Sequence, residues 1–256
     1  MNCQKVMELK SYRVGFQNEN KIGQIMTIIA YRNASDMDIK FEGGTIVYNT
    51  SYAVFKEGSI KNLNYPSVYG IGYFGVGVYK AKINGKFTKE YSLWNGMMGR
   101  CYTEKVHIKQ STYRDVEVCE EWLNFQNFAK WFEENWKSWM DSSWHLDKDI
   151  ICPECKIYSP ETCCFVPQEV NKIFKKPAMS GEYPVGIYKK HGKFITRCTV
   201  NGIRRQVGRY LTLEEAVCEY RIAKELWIKT IADEWKHLID PRVYQAMYNY
   251  KVEITD

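Results

Sequence analysis

Between Pro184 and Trp235 the chain reads PVGIYKK, HG, KFITRCTV, NG, IRRQVGRY and, after Leu211, TLEEAVCEYRIAKELWIKTIADEW. Two-residue links carrying Gly beside His or Asn suit the positive-φ turns whose twist matches that of paired strands, and Asn-Gly is a strong hairpin signal. Three antiparallel strands are expected. Thr212 with Glu215 three residues later makes a capping box, in which each side chain satisfies a backbone N–H that a helix start leaves open. A helix therefore begins there. Ala216, Tyr220, Ala223, Trp227 and Ile231 recur three to four apart, which lines them up to pack on one sheet face.

The other face of that sheet collects charge. Between Gly181 and Tyr210 stand Lys189, Lys190, Lys193, Arg197, Arg204, Arg205 and Arg209 against the single carboxylate of Glu182. Strand alternation sets Lys193, Ile195, Arg197 and Thr199 on one side and Phe194, Thr196, Cys198 and Val200 on the other. Such a face is either solvated surface or a contact for double-stranded DNA, whose major groove admits a β-ribbon and whose guanine edges and phosphates suit arginine. The excess of arginine over lysine and the lack of carboxylates to pair with it favour nucleic acid.

The rest of the chain predicts an α+β protein in three parts. Residues 1–91 are a small, mostly β module: Gly23–Tyr31, Met37–Phe41 and Tyr69–Tyr79 are β-branched or aromatic runs bounded by turn chemistry. Residues 92–176 turn helical, with Leu93, Trp94, Met97 and Met98 at helical spacing, then a helix over Cys119–Trp139 striped by Trp122, Phe125, Phe128, Trp131, Phe132 and Trp136. That stripe reads as core. Lys172–Gly181 reads as a connector, and residues 177–256 hold the three-stranded sheet packed on its helix. A hairpin echo links Gly75–Phe87, GVGVYKAKINGKF, to Gly186–Phe194, GIYKKHGKF, although shared turn chemistry alone can produce it.

Composition narrows the class. With 45% hydrophobic and 15% aromatic residues the chain has material for a core, which excludes general disorder. No apolar run approaches the roughly 20 residues that cross a bilayer, and MNCQKVMELKSYR lacks the apolar centre of a secretory signal, so a soluble intracellular protein is expected. Nine cysteines scattered along 256 residues are not a disulfide framework, and reduced thiols are the default.

The stretch WHLDKDIICPECKIYSPETCCFVPQEVN, Trp144 to Asn171, looks chemical. Cys152 and Cys155 could seat two thiolates on zinc with Cys163 or His145 completing the set, but Cys163 and Cys164 are adjacent, a poor geometry for two sulfurs on one ion. Unligated, partly buried thiols are the alternative.

Two resemblances sharpen these readings. Val185-Gly-Ile-Tyr-Lys-Lys, Gly192-Lys-Phe-Ile, Val207-Gly-Arg-Tyr-Leu-Thr-Leu-Glu-Glu-Ala216 and Tyr220 resemble the APETALA/ethylene-response-factor (AP2/ERF) DNA-binding domain, which also occurs in phage homing endonucleases and integrases. That resemblance implies a sheet seated in the major groove, with Tyr188, Lys190, Lys193, Arg197, Arg204, Arg205 and Arg209 as contacts. Upstream, Leu93-Trp-Asn-Gly-Met-Met-Gly-Arg-Cys-Tyr102, the segment Tyr113–Trp131, Leu146-Asp-Lys-Asp-Ile150, Tyr158–Pro167 and Asn171 are similar to phage HNH-like homing endonucleases. This second resemblance implies a ββα-metal region in which Asp147 and Asn171 hold a divalent metal, Mg²⁺ or Mn²⁺, that helps hydrolyse DNA phosphodiesters.

Lys148 stands where that family places its general-base histidine, and Thr162 where it places a middle asparagine. A lysine is a poor base near neutral pH unless its pKa is strongly depressed. His145, two residues from Asp147 on a strand, is the substitute base, which leaves Lys148 as a phosphate contact or charge stabiliser. The expectation is a phage-encoded HNH-type endonuclease acting in the bacterial cytoplasm. Its alternatives are a catalytically degenerate DNA-binding regulator and a factor directed at a host protein.

Overall fold

A computed structural model describes residues 12–174, 182–200 and 203–253 of the chain, which is α+β. The Asn201-Gly202 turn and most of the expected connector lie outside the described residues. Two compact units form, Met1–Thr103 with Glu120–Ala129, and Glu104–Cys119 with Lys130–Asp256.

The first unit opens with strands β1 (Gln17–Glu19), β2 (Ile25–Asn33), β3 (Asp36–Phe41) and β4 (Ile46–Thr50), an antiparallel sheet in sequence order. Met26 and Ile28 on β2, and Met37, Ile39 and Phe41 on β3, take alternate positions and so share one face. With Phe55 of helix α1 (Tyr52–Lys56) and Ile60 they form a core. Burial of each such side chain stabilises the fold by about 1.5–3 kcal/mol.

The expected strand Tyr69–Tyr79 is absent. Its backbone finds other partners: Gly75 N donates to Leu63 O (2.8 Å), and the Gln126 side chain accepts from Tyr79 N (2.9 Å) and donates to Tyr79 O (3.0 Å) and Phe74 O (3.4 Å). The glycines permit this closeness, since a Cβ at Gly77 would lie 2.3 Å from the Gln126 amide oxygen. Beyond comes the hairpin β5 (Lys82–Ile83) and β6 (Lys86–Phe87), followed by helix α2 (Lys89–Tyr102). Trp94 of α2 is fully buried and donates to Trp122 O at 2.7 Å. Helix α2 falls in the first unit, where Met98 and Trp94 pack so close to Gly72 that a Cβ there would lie 2.7 and 3.2 Å from them.

Helix α3 (Glu104–Lys109) and strand β7 (Glu117–Val118) belong to the second unit. The expected single helix over Cys119–Trp139 is two, α4 (Glu120–Leu123) and α5 (Phe125–Asn135). Tyr73 N bonds Leu123 O at 2.9 Å and Phe125 N bonds Tyr73 O at 3.0 Å, so a parallel bridge claims the backbone at Asn124 and breaks the helix. The aromatic stripe is core, as its burial requires, but it serves both units. Trp122, Phe125 and Phe128 are buried in the first, while Trp131, Phe132 and Trp136 surround Phe165 in the second at 5.2, 5.6 and 5.0 Å between ring centres.

The second unit continues through β8 (Trp144–Asp147), β9 (Ile157–Tyr158), which pairs parallel to β7, β10 (Cys164–Pro167), antiparallel to β8, and helix α6 (Gln168–Ile173). The three-stranded sheet β11 (Ile187–Lys190), β12 (Lys193–Val200) and β13 (Ile203–Tyr210) then leads into α7 (Leu213–Trp235) and α8 (Pro241–Tyr248). The capping box forms as expected: Thr212 Oγ1 accepts from Glu215 N, and the Glu215 carboxylate accepts from Thr212 N, both at 3.2 Å. The buried line on α7 includes Ala216, Tyr220, Lys224, Ile228 and Ile231. The four-residue step past Tyr220 thus lands on Lys224 where the sequence suggested Ala223. Arg242 of α8 donates to Glu161 O at 2.8 Å and Cys163 O at 3.4 Å, tying the C-terminal helix to the loop before β10.

Candidate functional site

Register decides which charges of the sheet share a face. The first turn behaves as read: His191 at φ 50° and Gly192 at φ 75° close a two-residue hairpin in which Lys190 opposes Lys193 and Tyr188 opposes Ile195. On β13 the ladder slips. Thr196 pairs with Gly208 but Arg197 pairs with Gln206, so Val207 is an extra residue without a partner.

Opposed residues project from the same side of a sheet. Ile195 with Arg209, Arg197 with Gln206, and Thr199 with Arg204 therefore carry Tyr188, Lys190, Lys193, Arg197, Arg204 and Arg209 to one face. The opposite face holds Thr196, whose hydroxyl donates to Ala216 O of α7 at 3.0 Å, and Cys198, whose partner is Arg205. Six of the seven expected contacts thus converge. Arg205 is exposed but lies on the helix side of the register.

The cationic face is partly preorganised. The Arg197 guanidinium sits 4.5 Å from the Tyr188 ring centre, and Ile195 is buried between its cross-strand neighbours Tyr188 and Arg209. Among the described residues no ion pair engages Lys190, Lys193, Arg197, Arg204 or Arg209. Their positive charge is available to an anionic partner.

The second candidate region is the β8–β10 hairpin and the helix that follows it directly. His145 opposes Val166 and Asp147 opposes Cys164, so both lie on the same side of the hairpin. α6 packs against both strands and carries Asn171, half-buried like His145 and Asp147. Asp147 Oδ1 accepts from Asp149 N and Ile150 N, each at 2.9 Å, which ends the strand in a tight turn. Burial pushes the Asp147 carboxyl above the ordinary range, against the pull of those two N–H groups.

A divalent cation would reverse that penalty. With Oδ1 committed to the turn, Asp147 offers Oδ2, and Asn171 offers one amide oxygen. So small a set suits a hard ion that keeps most of its water, as Mg²⁺ does, and not a four-ligand zinc site.

Lys148 points inward. Its side chain is 7% exposed, with Nζ bonded to the Asp149 carboxylate and donating to Cys155 O at 3.3 Å. In this arrangement it braces the loop, and reaching a phosphate requires both bonds to break. Thr162 is likewise buried and internally bonded, donating to Ile157 O at 2.8 Å.

The cysteines take another course. Cys152 and Cys155 are joined as a disulfide, their Cα atoms 5.3 Å apart, where reduced thiols were expected. The turn within CPEC, with Cys155 N bonded to Cys152 O at 3.0 Å, brings the side chains into reach. Neither is then a thiolate ligand. Cys163 is buried, and burial raises its thiol to about 12; Cys164 is driven higher for the same reason. Among the described residues no three His, Cys, Asp or Glu side chains come together as a metal group.

Sequence reasoning missed one feature of this unit. A cavity of about 920 Å³ lies between α6 and one end of the three-stranded sheet with α7, and Lys172, Arg197, Arg204 and Lys224 line it. Lys224 is legible only as the i+4 neighbour of Tyr220 on a face otherwise apolar.

Comparison with protein-family models, with curated proteins and with solved structures returns no match to this chain.

Proposed function

We propose that this is a DNA-binding protein that docks the outer face of its β11–β13 sheet in the major groove and hydrolyses phosphodiesters at the β8–β10–α6 region. The observation that carries the binding half is the gathering of Tyr188, Lys190, Lys193, Arg197, Arg204 and Arg209 on one face with no ion pair among the described residues to neutralise the cations. Lysine and arginine on a narrow sheet grip phosphates and set orientation, while arginine in the groove reads guanine.

For the hydrolytic half, Asp147 and Asn171 would hold the divalent cation. When bound, such an ion supplies charge neutralisation at the scissile phosphate and at the leaving oxygen. His145, on the Asp147 side of the hairpin, takes the proton from the attacking water. Lys148 keeps the turn rigid, so that the Asp147 carboxylate is oriented before substrate arrives. In this reading the protein is phage-encoded and works in the cytoplasm of the bacterial host. Among the described residues no helix is long and apolar enough to cross a membrane.

One observation favours a second reading, DNA binding without cleavage: the residue in the general-base position is a buried, bonded lysine. Incubation of supercoiled plasmid with Mg²⁺ or Mn²⁺ decides between them. Nicking that is lost in Asp147→Ala supports the nuclease; salt-sensitive gel shifts of duplex DNA without nicking support the regulator. Absence of both at low salt sinks both.

A further inference from the structure

The hairpin echo is more than similar turn chemistry. In the first unit, Lys82-Ile-Asn-Gly-Lys-Phe87 folds with Lys82 opposite Phe87 and Ile83 opposite Lys86 around Asn84 (φ 50°) and Gly85 (φ 77°). In the second, Lys189-Lys-His-Gly-Lys-Phe194 folds with Lys189 opposite Phe194 and Lys190 opposite Lys193 around His191 (φ 50°) and Gly192 (φ 75°). Register, turn conformation and the outer pair coincide. In each case the lysine ammonium lies over the phenylalanine it opposes, at 4.3 Å for Lys82 and 5.2 Å for Lys189.

The two differ in what surrounds them. The second hairpin is built into a three-stranded sheet backed by a helix, whereas every residue of the first, from Lys82 to Phe87, is exposed. Ile83 is 58% and Phe87 57% exposed, on a two-stranded ribbon that also carries Lys86 and follows Lys80. An unburied ribbon gains little from packing, and the stacking of Phe87 on Tyr91 at 5.3 Å fixes its base. The tip is stiffened, cationic and open.

We infer that the Lys82–Phe87 hairpin is a second nucleic-acid contact, a β-ribbon set into a groove so that each face meets one wall, Lys82 with Phe87 on one side and Lys86 with Ile83 on the other, the lysines on phosphates and the apolar side chains against sugars. Charge complementarity favours this occupant: between Val78 and Tyr91 there are Lys80, Lys82, Lys86 and Lys89 with Glu90 as the one carboxylate. A groove admits a two-stranded ribbon of this kind. Linked contacts on one strand of DNA raise each other's effective concentration, so the protein gains affinity on any duplex long enough for both. The inference rests on the DNA reading of the sheet.

Full-length protein, Lys82→Ala/Lys86→Ala, Lys82→Arg/Lys86→Arg and Lys190→Ala/Lys193→Ala are compared by fluorescence anisotropy on a short and a long duplex across a salt series. The hairpin alanine pair is expected to flatten the log–log salt slope on the long duplex by about 1.8, so that weakening between 50 and 200 mM salt is about 12-fold smaller. The arginine pair keeps the wild-type slope, and the alanine pair no longer distinguishes long from short DNA. If the hairpin alanine pair matches wild type while the sheet pair is weakened, this inference fails and the sheet reading stands. If the sheet pair is unchanged and the hairpin pair weakened, the sheet reading fails and the hairpin is not a second contact, so the inference falls with it. Equal binding of the alanine pair to DNA together with lost binding to phosphatidylserine vesicles assigns the hairpin to membranes and overturns the inference.

Discussion

The extra residue at Val207 makes the clearest prediction, because it decides which of two adjacent arginines meets DNA. On a regular strand Arg205 and Arg209 share a face and Arg204 points away; with the bulge, Arg204 joins Arg209 and Arg205 turns to the helix side. Lys190, Lys193, Arg197, Arg204 and Arg209 are the cations of the outer face. If each neutralises one phosphate, the sheet contributes a salt slope of about −4.5, or about 500-fold weaker binding between 50 and 200 mM salt. Arg204→Ala should bring that slope to about −3.6 and the weakening to about 150-fold. Arg205→Ala should leave both near the wild-type values. Anisotropy titrations on a short duplex at four or more salt concentrations resolve the difference. A flattening by Arg205→Ala equal to or larger than that by Arg204→Ala would refute the register argument.

Other expectations follow from the second unit. Burial raises the Asp147 carboxyl, so the folded state binds its proton more tightly than the unfolded state; the penalty is complete above the raised value and fades as pH falls toward the ordinary carboxylate range. Asp147→Asn should therefore melt at a higher temperature than wild type at pH 7.5, with the gap closing toward pH 4; a lower melting temperature at pH 7.5 contradicts the burial account. Mg²⁺ should raise the melting temperature of wild type and not of Asp147→Ala. Reducing the Cys152–Cys155 disulfide, which adjoins the Cys155 carbonyl that holds Lys148, should cost about 2 kcal/mol on the chain-entropy estimate for so short a loop, measured by denaturant titration with and without reductant. Gly186→Ala should cost about 2–4 kcal/mol in the same titration, since Gly186 has φ +82° and a Cβ would meet Arg197 O and the Tyr220 ring, each at 2.5 Å. A change under 1 kcal/mol there would mean the β11 entry can shift freely.

Much of the C-terminal fold was legible because its signals are local. Turn chemistry at His191-Gly192 and the Thr212–Glu215 capping box depend on residues within a few positions of one another, and both formed as read. Long-range substitution of partners was not legible. The glycine run Tyr69–Tyr79 has strand composition, yet its bonds go to scattered partners, Leu63 O, Leu123 O and the side chain of Gln126 some fifty positions away, and not to a neighbouring strand. The same encounter of Tyr73 with Asn124 broke a helix whose aromatic period is continuous in sequence. At the candidate hydrolytic region, sequence placed His145 and Asp147 on one side of a strand, but the inward turn of Lys148 depends on the Cys155 carbonyl folding back over it.

By itself the sequence determined the α+β class, the hairpins and helix of the C-terminal sheet, the aromatic core stripe and the cationic character of residues 181–210, since each rests on periodicity, capping or composition. Only the tertiary structure decided which cations share a face. A strand's side chains alternate with period two, so one unpaired residue reverses the phase of everything beyond it. Locally, Gly208 hints at a bulge, as an isolated glycine within a strand does, but not at which residue is extra. It is set by pairing with β12, which carries Arg204 to the outer face and leaves Arg205 behind.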